Sequence, residues 1–139
     1  MADSVLVVTT GLTLITTALV DLAAVAPKWV QWGVGTTGPV TGNTDLEDKT
    51  GATEDRENDT CTVETATVAG LTDDTFRVTA LITCNATGKA ITEVGTFNAD
   101  DSSAPPTGDT MFLRATFSAI NLVEGNSIDF TIDTKFVPV

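Results

Sequence analysis

Ile128-Asp129-Phe130-Thr131-Ile132-Asp133-Thr134-Lys135-Phe136 is the stretch that decides the fold. Ile128, Phe130, Ile132, Thr134 and Phe136 share one parity, and Asp129, Thr131, Asp133 and Lys135 share the other. That two-residue period belongs to a strand with one face in a core and the other in water. Glu124-Gly125-Asn126 just before it supplies turn residues that tolerate positive φ. Upstream, Thr110 to Ala119 reads as a second strand, so the carboxy-terminal third is expected to form an antiparallel β unit.

The rest of the chain agrees with a mainly β protein. Thr is the commonest polar residue, and β-branched side chains suit a pleated surface better than a helix. A length of 139 residues fits one domain. The expected architecture is an antiparallel β-sandwich over residues 28–139, preceded by an N-terminal extended arm and short helix over residues 1–27.

Charge narrows the function. Nineteen acidic side chains against seven Lys and Arg give a net charge of −12. Nucleic acid needs clustered cations to displace its counterions, so it is not expected as a partner. The chain has no His, which removes the usual general base and the commonest metal ligand. No catalytic constellation, cofactor site or metal site is expected.

Val5, Val8, Leu12, Ile15, Leu19 and Leu22 fall at alternating spacings of three and four, an apolar seam that suggests a helix near residues 10–23 ending before Pro27. These six residues are the candidate interface, because such a seam must pack on its own sandwich or on a neighbour. An export signal would begin with a positive charge and run on uninterrupted. Here Asp3 stands at the start, and five Thr and Gly11 interrupt the run from Val5 to Ala26. The Thr content and Asp21 also argue against a membrane span.

Lys28 to Trp32 reads as a strand with both tryptophans expected on one face. Gly33-Val34-Gly35-Thr36-Thr37-Gly38 then matches the dinucleotide-binding fingerprint letter by letter. The mechanism requires a helix to start there, whereas Pro39 and Thr41-Gly42-Asn43 follow, so nucleotide binding is rejected. Residues 36–60 read as a solvated acidic loop with a local bridge from Arg56 to a carboxylate. Next, Thr62–Ala69 and Phe76–Cys84 suggest a hairpin in which Cys61 would face Cys84. A disulfide between them is sterically allowed there, and two reduced thiols are the favoured state. In the strand Ala90–Ala99, Glu93 shares a parity with Ile91, Gly95 and Phe97. A carboxylate on that face needs a cation, and Arg114 on the neighbouring strand is the expected partner in a structural ion pair.

Four segments together bear a family resemblance: Trp32 to Thr37, Ile91 to Ala99, Met111 to Phe117, and Ile120-Asn121-Leu122 with Gly125 to Phe130. In series they resemble small β-sandwich virion structural proteins of tailed bacteriophages, of the capsid cement (decoration) or tail-fibre-associated type. The resemblance implies a structural role on the outer capsid surface of a virion assembled in the host cytoplasm. It also implies a homo-oligomer, with a trimer as the expected form, whose partner is the major capsid protein. A tail-fibre or baseplate component displaying residues 36–60 and 100–109 to a receptor is the alternative. A carbohydrate-binding module that stacks sugars on Trp29 and Trp32 is a further one.

Overall fold

A computed structural model of the chain describes residues 15–18, 20–21, 26–49, 51, 54–65, 74–100 and 110–136. Six strands follow in order: β1 Trp29–Gly33, β2 Thr60–Glu64, β3 Thr75–Thr83, β4 Lys89–Phe97, β5 Met111–Leu122 and β6 Ser127–Lys135. Residues 15–18 and 20–21 are helical. The strands form two antiparallel three-stranded sheets, ordered β1-β4-β5 and β2-β3-β6. Their facing sides meet in one core built from Val30 and Trp32 of β1, Phe76, Val78 and Ile82 of β3, and Ile91 of β4. The chain is thus mainly β, an antiparallel sandwich with a short helix.

The alternation in β3 is a clean one. Phe76, Val78, Ala80 and Ile82 are at most 1% exposed, while Leu81 on the other face is 50% exposed. β6 alternates likewise, with Phe130 buried and Asp129, Thr131 and Asp133 exposed. Trp32 meets Phe130 edge-on, their ring centroids 6.3 Å apart, which ties the two sheets together.

The expected antiparallel unit of β5 with β6 does not form. β5 pairs with β4 and β6 with β3, so the two consecutive strands belong to opposite sheets. The turn between them explains this. Gly125, at φ 85°, donates its amide to the Cys84 carbonyl, and Asn126 accepts from the Cys84 amide. The turn is therefore fastened to the end of β3, and β6 continues along that strand.

Two other expectations are corrected by register. β2 pairs Cys61 with Val78 and Val63 with Phe76, so Cys61 and Cys84 are not opposed. Both thiols are free. The chain between β2 and β3 is longer than a tight hairpin, and the slide keeps the apolar faces aligned because the strand period is two. Between Ile91 and Glu93 the register with β5 shifts, and Phe117, Ser118 and Ala119 of β5 stand opposite Thr92 alone. Ile91 faces the sandwich core, whereas Glu93, Gly95 and Phe97 turn to the opposite face of the sheet.

That opposite face is covered as well. From Ile91 to Phe97 every residue of β4 is buried. Described residues of the loops around it lie across it, with Leu46 against Gly95 and the Arg56 guanidinium 3.9 Å from the Phe97 ring centre. The expected solvated loop is solvated only in part: Thr36 to Gly42 are exposed, whereas Leu46, Glu54 and Arg56 are 6%, 3% and 2% exposed and cover the sheet as a third layer.

Candidate functional site

Glu93 is the centre of the junction between the loop layer and the sheet. Its side chain is fully buried. Oε1 accepts from the Gly35 amide at 3.0 Å and the Asp48 amide at 2.9 Å. Oε2 accepts from the Glu47 amide at 3.1 Å and Arg114 Nε at 2.7 Å. A carboxylate offers about four lone-pair sites, and four donors fill them. Nothing is left with which to bind or deprotonate a substrate, so the carboxylate fixes the loop and does no chemistry.

Arg114 makes four hydrogen bonds of its own with its five N–H donors. Beyond Glu93 it donates to Asn43 Oδ1 at 3.1 Å, the Thr37 carbonyl at 2.9 Å and Glu47 Oε2 at 3.4 Å. Glu47 in turn accepts from the Thr37 hydroxyl at 2.6 Å and the Thr37 amide at 2.7 Å. These hydrogen bonds, with Arg114 behind them, hold the Glu47 carboxyl below the ordinary range. The arrangement also accounts for Gly33 and Gly35 of the fingerprint-like motif, though not for Gly38, which has open space around it. A Cβ on Gly33 would lie 2.5 Å from Glu93 Oε1, and one on Gly35 would lie 2.6 Å from the same atom. The glycines make room for a carboxylate of this chain, not for a pyrophosphate.

A second buried acid anchors the other end of the layer. Glu54 accepts from Trp32 Nε1 at 2.9 Å and the Asn85 amide at 3.0 Å, and it pairs with Lys89. Burial opposes its charge, but the hydrogen bonds from Lys89, Trp32 and Asn85 outweigh it and hold the carboxyl below the usual range. Arg56 donates to Gln31 Oε1 at 3.2 Å and the Ala99 carbonyl at 3.0 Å. Glu54 and Arg56 thus point inward and fix the loop, while Glu47, Asp55 and Glu57 of the same segment are exposed.

Between β5 and β6 the sandwich is open. A cleft of about 730 Å³ separates Leu113, Ala115 and Phe117 from Ile128 and Ile132, with Val94 among the residues lining it. Phe117 sits 6.5 Å from Phe130, centroid to centroid, and is only half-buried. Six of the cleft's apolar side chains are left partly in water, Leu113, Ala115, Phe117, Ile120, Ile128 and Ile132, with Asp129, Asp133 and Lys135 also lining it. Here the structure has apolar surface to offer a partner.

Of the six candidate interface residues, Ile15 is half-buried in the helical stretch. Val5, Val8, Leu12, Leu19 and Leu22 lie outside the described residues. Within the helix Thr16 is fully buried and Val20 packs against the sandwich core. The structure brings Glu93 and Arg114 together and keeps Cys61 and Cys84 apart. It also separates the tryptophans. They stand three positions apart, hence on opposite faces of β1. Trp32 is 1% exposed in the core, while Trp29 is half-buried under Lys28, whose Nζ lies 5.8 Å from its ring centre. A paired stacking platform for sugars cannot be built from them.

Among the described residues no group of three or more His, Cys, Asp or Glu side chains is placed to hold a metal ion, and no helix is long and apolar enough to cross a membrane. The cleft and the Glu54 anchor escaped the sequence reading. The cleft depends on which sheet each strand joins, and Glu54 stands in a run of acids that looks uniformly solvated. Compared with protein-family models, curated proteins and solved structures, the chain matches none.

Proposed function

We propose that this chain is a bacteriophage capsid cement (decoration) protein, a β-sandwich that oligomerises on the outer shell and bridges subunits of the major capsid protein. The cleft between β5 and β6 carries the reading: it is a sandwich core left unfinished on one side, as an assembly protein completed by neighbours requires. The saturated charge centres add to it, because both buried acids serve to fix the loop layer. Burying apolar surface against neighbours contributes roughly 25 cal/mol per Å², so repeated contacts around a shell stiffen it without chemistry. The expected oligomer is a trimer.

The test is made on particles of the phage that encodes the chain, produced with and without it. Antibody labelling in negative stain is expected on the shell, and particles lacking the protein should lose resistance to heat and to internal DNA pressure. Label confined to the tail, or unchanged resistance, would overturn the proposal.

A further inference from the structure

We propose that the hollow beside Arg114, walled by the loop from Thr37 to Glu47, binds one ring of a neutral sugar. The proposal does not depend on the cement reading.

The hollow measures about 340 Å³, at the small end of ligand pockets, which run from about 300 to 1,000 Å³. Its size suits a single ring. Arg114 lies at its base, its side chain 2% exposed, with one N–H of Nη1 left without an acceptor. Two side chains grip this guanidinium and so stand beside each other. Asn43 Oδ1 accepts from Nη1 at 3.1 Å and from the Val40 amide at 2.8 Å. Both lone pairs of that oxygen are then engaged, which sets the amide plane and leaves the two N–H groups of Nδ2 with no acceptor among the described residues. Glu47 Oε2 meets Nη2 at 3.4 Å, and Thr37 holds the same carboxylate through its amide and its hydroxyl. Glu47 is still 39% exposed, so the carboxylate faces whatever enters. Both groups are fixed before a ligand arrives, which lowers the entropic cost of binding.

Two glycines point the same way. Gly38 and Gly42 both line the hollow. A Cβ on either would meet nothing of this chain within 4 Å, and neither has a positive φ. Gly42 stands in the turn that the Asn43 amide closes on the Val40 carbonyl at 3.0 Å, and such a turn without positive φ accepts most residues. The fold therefore does not require glycine at these positions, whereas a ligand that must come close to the backbone does.

Charge selects the class of ligand. Arg114 at the base opposes a cation, and Glu47 and Asp45 on the wall oppose an anion. A neutral ligand that both gives and accepts hydrogen bonds is left. Neighbouring sugar hydroxyls do both: one oxygen accepts from Asn43 Nδ2 while the next hydroxyl donates to Glu47. Val40 and Leu46 give the C–H face of the ring an apolar contact. A peptide group points its N–H and its C=O in opposite directions, so it cannot serve Asn43 and Glu47 side by side. One such site is weak, and many copies on one particle would act together.

The isotope-labelled chain is titrated with neutral hexoses and N-acetylhexosamines and followed through its amide spectrum. At least one sugar should shift Gly38, Gly42 and the Asn43 side-chain amide together, with a dissociation constant on the order of 1–10 mM, while Ile128 and Ile132 of the cleft stay in place. Gly38→Leu fills the hollow from a position with open space and should abolish these shifts. Asn43→Asp keeps an oxygen for Val40 and Arg114 but removes both amide donors, and should weaken binding about tenfold or more. The remaining sandwich signals report that each variant folds. Sugar binding that survives in both variants, or shifts scattered over the whole surface, overturns the proposal. So does a panel of which no member moves these amides at about 0.1 M, well above the expected constant. Inorganic phosphate or calcium moving the same signals where no sugar does would overturn it too.

Discussion

Arg114 joins strand β5 to Glu93 of β4 and to three residues of the loop layer, Thr37, Asn43 and Glu47. Its side chain is 2% exposed and that of Glu93 is fully buried, so removing the cation would leave a carboxylate in a dry site. Arg114→Met should therefore cost about 3–5 kcal/mol of unfolding free energy, measured by urea denaturation. A loss of under about 1 kcal/mol, the worth of an exposed pair, would mean that water reaches the site. Glu54 allows a pH test of the same physics. Its carboxyl is held below the ordinary value of 4.5 in the fold, against the pull of burial, by Lys89, Trp32 and Asn85. A carboxyl depressed by folding stabilises the protein above its unfolded pKa, and that contribution is lost as pH falls through the folded value. Glu57 acts in the opposite sense. Burial, with Asp59, Asp55 and Asp100 nearby, raises its pKa, so acid relieves a cost there. Comparing the native chain with Glu54→Gln removes that background. The native chain should be the more stable at pH 7, and the gap should narrow once the pH drops below about 4.5, where protonated Glu54 comes to resemble glutamine. Denaturation curves of both proteins between pH 7 and pH 3 measure it.

At the scale of the strands, the pairing of β2 with β3 makes a claim about the cysteines. Cys61 lies opposite Val78, and Cys84 lies beyond the last paired residue of β3. Both thiols should thus be free under oxidising conditions, and mass spectrometry after alkylation in denaturant should count two. In the folded protein Cys61, half-buried with its pKa pushed up by burial against a smaller pull from Lys28, should react slowly with a thiol reagent at neutral pH. Cys84, fully buried, should react only on unfolding. A single thiol class of rapid reactivity would place the ladder elsewhere. The same strands show what alternation reveals and what it hides. β3 and β6 could be read directly because each has one apolar face, and the Glu93–Arg114 pair followed from asking what a carboxylate on a strand's buried face requires. Sheet membership could not be read. It depends on the Cys84 backbone clasping Gly125 and Asn126, and backbone atoms leave no mark in the side-chain pattern. The faces of β4 are equally hidden, because a register shift against β5 at Thr92 changes face within a strand buried on both sides. The inward turn of Glu54 and Arg56 was hidden for a similar reason: composition marks a segment as polar without saying which way each charge points.

For the whole molecule, charge and apolar surface act against each other. Each copy carries a net charge of −12, so association sets two acidic bodies side by side. The apolar walls of the cleft favour contact, yet the carboxylates, Asp129 and Asp133 of the cleft among them, repel over distances that salt controls. At about 0.15 M ionic strength the screening length is roughly 8 Å, and at 1 M it is roughly 3 Å. Burial of the cleft does not weaken in the same way, because apolar association is insensitive to screening and strengthens with strongly excluded anions such as sulfate. Self-association should therefore tighten as sodium chloride rises from 0.05 to 0.5 M, on the order of tenfold in dissociation constant. Sedimentation velocity over that salt series measures the change. An interface held by ion pairs between copies would respond in the opposite direction and loosen with salt. In that case the acidic surface, rather than the apolar cleft, would have to be where the copies meet.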